Sequence, residues 1–466
     1  MAGTSNPLRR KRLSALAGLL LGALATLPAP ASAQREMPQN LPERPRVPAY
    51  DPGLPVDRKE LKNGVVLLVQ EQRTSDEVAA TVALRMGTEY EDDLNAGLSQ
   101  VLMRALTSGT QALKPTELQL RFIAHKVEMH GGASADYGQL EMKTIREEAE
   151  PALDLLADVV LTPSFPDTAV ENAKIEYMKE ASNDVESPLP ATYTMFLKAM
   201  YPGSPFGRPP HGTVQAIDEA HRSDIVALYR KFFVGSNLVV AVVGNVDGKK
   251  VMAQLERRFA AAPAGPAPKA VGADPAPLAA DTTITATRPY LARSLVYGFA
   301  APGYADPDYP AFMIIDSYLR SGDRSPIAYW LPELQIAVGV GIIYPTYPRR
   351  SSIAVYMGTA PSNFEAARDT VVNVFDRIKT YPFDKGEWGV QLKRAQDGFL
   401  FNQRDPMVRA RNLSRWTIQG LTLDFPKEFE TRLLKLTPEM VREAATRWFT
   451  HSCLVSLEPA KRDVKP

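Results

Sequence analysis

Cysteine and histidine are scarce in this sequence. Among 466 residues there is one cysteine, Cys453, and there are five histidines. A single thiol excludes an internal disulfide framework and any cysteine-rich zinc site. Five imidazoles leave little scope for a metal centre built from histidine. Charge of one sign is also missing: Lys+Arg 54 against Asp+Glu 53 gives a formal +1, so no basic footprint for nucleic acid is visible. Beyond residue 33 no apolar run reaches about 18 residues, the length of a candidate membrane-spanning helix. No P-loop, no G-x-S-x-G elbow and no histidine dyad partner for Cys453 can be found.

What is present is material for a folded chain. Hydrophobic residues make up 45% and charged residues 23%, the balance of a globular protein with two or three domains. Residues 1–33 read as a secretory signal peptide. Arg9, Arg10, Lys11 and Arg12 form a basic start, Leu13 to Leu27 carries no charge, and Ala31-Ser32-Ala33 offers a small-residue cleavage site before Gln34. In a Gram-negative source the expected destination is the periplasm. Loss of those basic residues turns the formal charge slightly negative, which suits neither DNA nor an anionic membrane. The unpaired Cys453, followed by Leu454 and Val455, is expected to be buried.

Residues 34–59 are proline-rich and extended, with regular structure expected from about Leu61. A second proline-alanine stretch, 261–281, divides the remainder into 60–260 and 282–466, and we read it as an exposed linker. The two parts resemble each other in outline. The first has an apolar strand from Val78 to Arg85, an acidic turn (Glu89, Glu91, Asp92, Asp93) and a helix from Ala96 to Leu106. The second has a strand from Ser294 to Ala300, an acidic turn (Asp306, Asp308) and a helix from Tyr309 to Leu319. Ser108-Gly109 and Ser321-Gly322 follow these helices. Further strands are expected at Gly64–Gln70 and Leu238–Val243, and helices at Glu150–Leu161 and Ala169–Ala181. Strands and helices mixed without strict alternation point to an α+β fold containing a duplicated domain.

The helix from Ala96 places Leu98, Val101, Leu102, Ala105 and Leu106 on one buried face. Gln100, Met103 and Arg104 form a separate stripe, which by pattern alone faces solvent or a neighbouring domain. His125, Glu128 and His130 read H-x-x-E-x-H on a helix ending near His130. Imidazoles five residues apart there diverge by about 140°, so a boundary pair is expected and not a chelate. His211, in a proline-rich loop, is expected to shape that loop, and His221 and His451 stand alone.

Several segments, in order, resemble the M16 peptidase family, the insulysin, mitochondrial processing peptidase and pitrilysin group. Gly97 to Thr110 (GLSQVLMRALTSGT) resembles the family's first helix, G-L-A-H-F-L-E-H-M-L-F-x-G-T. Leu61-Lys62-Asn63-Gly64 is similar to its L-x-N-G opening, and Gly87-Thr88-Glu89-Tyr90-Glu91 to its G-S-x-x-E turn. Tyr201 to Pro209 with Gly212-Thr213 is similar to its H-P-Y-G-x-P…G-T loop, and Val242-Val243-Gly244-Asn245-Val246 to its V-V-G-D segment. The resemblance implies two homologous domains, each a mostly antiparallel sheet with packed helices, arranged as half a clamshell.

It also implies which chemistry is missing. Active members bind zinc through both histidines of H-x-x-E-H, and the glutamate activates water. Here those positions hold Gln100, Met103 and Arg104: a poor ligand, no base, and a fixed cation that repels Zn2+. A third ligand survives only as Glu180. Nothing catalytic and no metal is therefore expected in this chain, and a salt bridge from Arg104 to Glu180 is expected in the metal's place. A self-sufficient metallopeptidase would need ligands other than these. The family's substrate-contacting Arg and Tyr align with Pro332 and Val338, so both polar groups are lost. Peptide binding by strand addition could outlive the metal, at an edge expected at Gly132, Ala133, Ser134 and Ala135; a plain turn there is the other reading. The resemblance implies a non-catalytic subunit that pairs with an H-x-x-E-H-bearing, zinc-containing M16 subunit, or with itself, and encloses peptide. A stand-alone binding or scaffold protein is the alternative.

Overall fold

A computed structural model describes residues 54–460, except 273–275, 321–324, 326 and 382. The signal peptide, most of the extended segment 34–59 and the Ser321-Gly322 pair lie outside the described residues. Among the described residues eleven strands form two sheets.

The first sheet contains β1 (Asp57–Glu60), β2 (Val66–Glu71), β3 (Glu77–Leu84), β4 (Glu128–Ala133), β5 (Gly138–Ile145) and β6 (Val239–Gly244), in the order β1-β2-β6-β3-β5-β4. The second contains β7 (Thr282–Arg288), β8 (Arg293–Pro302), β9 (Val338–Ile343), β10 (Arg350–Thr359) and β11 (Ser452–Pro459), in the order β7-β11-β8-β10-β9. Apart from β1 the two orders are the same. In each sheet the domain's last strand runs parallel to its first core strand, β6 beside β2 and β11 beside β7, and every other pairing is antiparallel. The duplication read from the sequence is thus a duplication of topology, and the fold is α+β with two homologous domains.

The helices needed below are α1 (Leu98–Leu106), α2 (Pro115–Ala124), α3 (Ala149–Leu161), α4 (Asp167–Glu186), α5 (Pro188–Met200), α6 (Tyr309–Arg320), α7 (Phe364–Thr380), α8 (Lys385–Asn402) and α9 (Pro406–Ile418). Among the described residues no helix is long and apolar enough to cross a membrane.

Strand β3 shows how sequence dictates packing. Its side chains alternate between faces. Val78, Ala80, Val82 and Leu84 enter the main first-domain core with α1 and α3. The smaller Ala79 and Ala83 face the other way and meet Met407, Ala410 and Leu413 of α9. A strand covered on both faces reads as a continuous apolar run, and the small residues let a helix approach closely. That helix comes from the second half of the chain. Reciprocally, α5 of the first half lies on the second sheet, where Phe196, Leu197 and Met200 pack with Val296, Ala354, Val455 and Cys453. Each half therefore donates one helix to the other's sheet, an exchange that no linear boundary captures. Cys453 is buried as expected, and burial pushes its thiol up to about 12.

Polar bonds fix the exchanged helices in register. Thr81 Oγ1 lies 3.0 Å from the Ala410 carbonyl and 2.8 Å from Ser414 Oγ, and Gln139 Nε2 donates to Ser414 Oγ at 2.9 Å. The buried Arg409 guanidinium donates to Gln70 Oε1 at 2.8 Å. The proline-alanine segment differs from a free linker. Gly235 N donates to Pro263 O and Val271 N to Glu89 O, so this segment is tied to the first domain although it forms no helix or strand among its described residues.

Candidate functional site

Helix α1 begins at Leu98, two residues after the expected start, because Glu91 caps it. The buried Glu91 carboxylate accepts from Gly97 N at 2.9 Å and Ser99 N at 2.8 Å. It occupies the positive end of the helix dipole, while burial pushes its pKa upward against those bonds. The five expected core residues of α1 are buried.

The stripe opposite them is not uniform. Met103 is fully buried, Gln100 is half-buried and Arg104 is exposed. Pattern alone put Met103 with the outward pair. It packs inward because β4 crosses close over α1: a Cβ on Gly131 would stand 2.3 Å from the Met103 carbonyl oxygen. Arg104 Nε pairs with Glu176 Oε2 at 2.8 Å. This corrects the expected pairing with Glu180, which makes no ion pair within 4.0 Å among the described residues. Glu176 and Glu180 are successive turns of α4, about 6 Å apart along its axis. Arg104, on the last turn of α1, meets the nearer one. Glu180 stands toward the other end of α1, where its charge acts on His211.

His211 closes that end. Its backbone N–H and its ring Nδ1 both lie 3.0 Å from Asp184 Oδ2, and the loop presses on α1, with Gly97 against the His211 carbonyl. Gly212, at φ +82, would bring a Cβ 2.3 Å from the Ala96 carbonyl oxygen, so only glycine fits the turn. His211 shapes its loop, as expected.

The histidine pair is placed differently from the sequence expectation. Helix α2 ends at Ala124, Lys126 turns the chain at φ +50, and Glu128 already begins β4. His125 Nδ1 lies 2.9 Å from Glu148 Oε2, whereas His130 is exposed on the strand. The alternation that sets Met129 and Gly131 against α1 is strand-like, and a short helical reading concealed it.

Strand β4 forms one edge of the first sheet, opposite β1. Ser134 N donates to Tyr137 O at 2.8 Å, which makes 134 and 137 a hydrogen-bonded pair. Antiparallel pairs alternate in bonding. With the register Gly132↔Gln139, Gly131↔Leu140, His130↔Glu141 and Met129↔Met142, the backbone groups of Gly132 and His130 bond to β5. Those of Met129, Gly131 and Ala133 point away from the sheet. Of the four expected peptide-contacting residues, Gly132 and Ala133 lie on this edge. Ser134 and Ala135 belong to the hairpin turn, and the Ala135 carbonyl is taken by Glu89 N at 2.7 Å. The turn and the edge, weighed as alternatives from sequence, are both present side by side.

Both flanks of the edge carry charge. On the α1 side stands the Arg104–Glu176 pair. On the α9 side Arg411 grips Glu141 through two bonds, of 2.6 and 2.7 Å. His130, Gly132, Gln139, Glu141 and Arg411 line a groove of about 440 Å³ beside β4. Arg415, one turn further along α9, is held between the Tyr137 and Tyr304 rings at 5.2 and 5.5 Å, beside the buried Asp136. Burial raises the Asp136 pKa and Arg415 opposes this. Sequence reasoning missed Arg411 and Arg415, since nothing local announces that their helix crosses to the first sheet. In the second domain Pro332 and Val338 are exposed, and Val338 opens the outer strand β9.

Two family sequence profiles match the chain. One described as Insulinase (Peptidase family M16) covers residues 66–213, and one described as Peptidase M16 inactive domain covers 220–394. The chain belongs to the M16 peptidase family. An uncharacterized zinc protease of Streptomyces coelicolor is 21% identical over 84% of this chain and 86% of its own length. One of Rickettsia felis is 25% identical over 43% of this chain and 48% of its own. The mitochondrial-processing peptidase subunit beta of Dictyostelium discoideum is 26% identical over 43% of each. The chain spans about half the length of the latter two. The peptidase M16 inactive domain from Pseudomonas fluorescens superimposes with a TM-score of 0.78 at 21% identity, over 88% of this chain and 98% of that one. A protease from Helicobacter pylori also gives 0.78, at 18% identity, over 87% and 99%.

This M16 chain is a degenerate member. The family's zinc does not fit the residues at its site. Gln100 Oε1 already accepts from Ala133 N, Met103 is sealed in the core and Arg104 is cationic. Among the described residues no group of three His, Cys, Asp or Glu could hold a metal ion.

Proposed function

We propose that this protein is an exported, non-catalytic M16 subunit. It pairs with a zinc-bearing H-x-x-E-H subunit and helps to enclose an extended peptide, which adds as a strand to the edge of β4. The observation that carries this reading is a contrast within one site. The metal-binding stripe of α1 holds an amide, a thioether and a guanidinium, while the strand beside it still turns the backbone groups of Met129 and Gly131 outward. Backbone addition needs no metal. Its partner supplies the zinc and the water-activating carboxylate, and this chain supplies binding surface.

Co-expression with an exported M16 protein carrying intact H-x-x-E-H, encoded nearby, tests the proposal. The two chains should co-purify, with peptidase activity in the complex or partner and none in this chain alone. Chelator-sensitive hydrolysis by the isolated chain would overturn it. One observation favours a second reading, a stand-alone periplasmic binding or scaffold protein. Pro332 and Val338 leave this chain without the Arg/Tyr pair that it would offer to a partner's substrate. Failure of the two chains to associate at micromolar concentration would select that reading.

A further inference from the structure

The side chain of Gln100 performs a task that a zinc ligand at that position could not. Its Oε1 accepts a hydrogen bond of 3.2 Å from the backbone N–H of Ala133. By the alternation fixed at the Ser134–Tyr137 pair, that N–H is one of the edge's outward donors. The N–H groups of Met129 and Gly131, four and two residues earlier, point the same way and make no hydrogen bond to the described residues outside the ladder. A strand added to β4 would bond its carbonyls to each of these donors in turn, with the Ala133 donor as the last before the hairpin.

We propose that Gln100 is a latch on the peptide edge. It caps the Ala133 donor, shortens the usable ladder to Met129 and Gly131, and must be displaced before an extended peptide can occupy the full edge. The inference rests on the strand-addition reading above and adds to it a residue that sets how much of the edge is available. The latch is well placed to hold and to yield. Gln100 sits on the rigid helix α1, pinned at its start by Glu91 and along its length by the core. Its carboxamide ends a flexible stem at a half-buried position. Gly131 draws β4 against the Met103 carbonyl, which keeps the edge within reach of that stem. A single hydrogen bond of this kind shifts an equilibrium by roughly 2- to 10-fold, enough to bias occupancy without closing the site.

The test uses the full mature chain and a fluorescein-labelled fragment of unfolded casein, read by fluorescence anisotropy, together with the same fragment carrying alternate N-methyl groups. Gln100→Ala removes the latch at a half-buried helical position where alanine is favourable. The expected result is roughly 2- to 10-fold tighter binding of the plain fragment by Gln100→Ala than by wild type, with loss of binding for the N-methylated fragment in both. Hydrogen exchange without peptide should show faster exchange at the Ala133 amide in Gln100→Ala. Equal affinity of the two proteins, with N-methylation still abolishing binding, would overturn the latch and leave strand addition standing. Absence of binding to both proteins, or indifference to N-methylation, would overturn strand addition itself and the latch with it.

Discussion

Gly131 of the edge strand lies against the Met103 carbonyl of α1, so close that an added Cβ would stand 2.3 Å from that oxygen. At Gly132, the next residue, nothing lies within 4 Å of the same construction. Adjacent glycines in one strand therefore have opposite tolerance. Gly131→Ala should destabilise the protein by about 1–3 kcal/mol, since backbone and helix must separate. Gly132→Ala should be neutral or slightly stabilising, because it restricts the unfolded chain. Urea denaturation of the two variants measures the difference, and equal stabilities would show that β4 does not hold its observed distance from α1.

The exchanged helix α9 belongs energetically to both domains. Leu413, 1% exposed, shares a buried apolar cluster with Ala79, Ala83 and Ala241 of the first sheet. Leu413→Ala should cost about 2–5 kcal/mol, the loss from transfer and cavity together. The distinguishing readout is cooperativity. Far-UV circular dichroism in urea should show one transition shifted as a whole, because the helix ties the halves together. A first-domain transition shifted alone would mean that the halves fold independently.

The elements themselves were legible in the sequence wherever periodicity was strong. The core strands β3, β6 and β8, and helices α1, α3 and α6, match the pattern to within a few residues, because long amphipathic or buried runs admit one reading. The duplicated outline was visible from β3–α1 and β8–α6, although the identity of the two strand orders was not. What sequence could not yield were contacts between distant segments. Glu176 in place of Glu180 as the partner of Arg104 depends on how two helices lie side by side. The inward position of Met103 depends on a strand crossing above it. The edge at Met129 was hidden because a five-residue run after α2 is too short to separate helix from strand. Arg411 and Arg415 reach the site only through the helix exchange, which has no local signature.

The Asp184–His211 contact predicts a pH dependence of stability. Asp184 raises the His211 pKa above its ordinary 6.5 by a direct hydrogen bond, burial opposes it, and the charges of Asp184 and Glu180 add to the rise. A histidine whose folded-state pKa is raised contributes stability that is fully present below the unfolded value. That contribution is lost as pH climbs through the folded value. His211→Gln should therefore lower the melting temperature more at about pH 6 than at about pH 8, as the imidazolium that it replaces disappears. A gap that widens with rising pH would contradict the assignment.

Restoring ligands without restoring the base separates metal binding from hydrolysis. Positions 100 and 104 lie one turn apart on one side of α1, and Glu180 stands on α4, which packs against that helix. Gln100→His combined with Arg104→His supplies two imidazoles to that carboxylate, a set of three protein ligands of the kind that catalytic zinc uses. The exchange also removes the cation that opposes a metal. It releases Glu176 from an ion pair whose side chains are 49% exposed on both sides, so little stability is lost with it. The double variant should bind about one zinc per chain after dialysis, by elemental analysis, where wild type binds none. It should hydrolyse no peptide, because a buried thioether at Met103 cannot take a proton from bound water. Zinc uptake by the wild type would overturn the account of the degenerate site. Failure of the double variant to take up zinc would show that Glu180 has turned out of reach of the helix it once served.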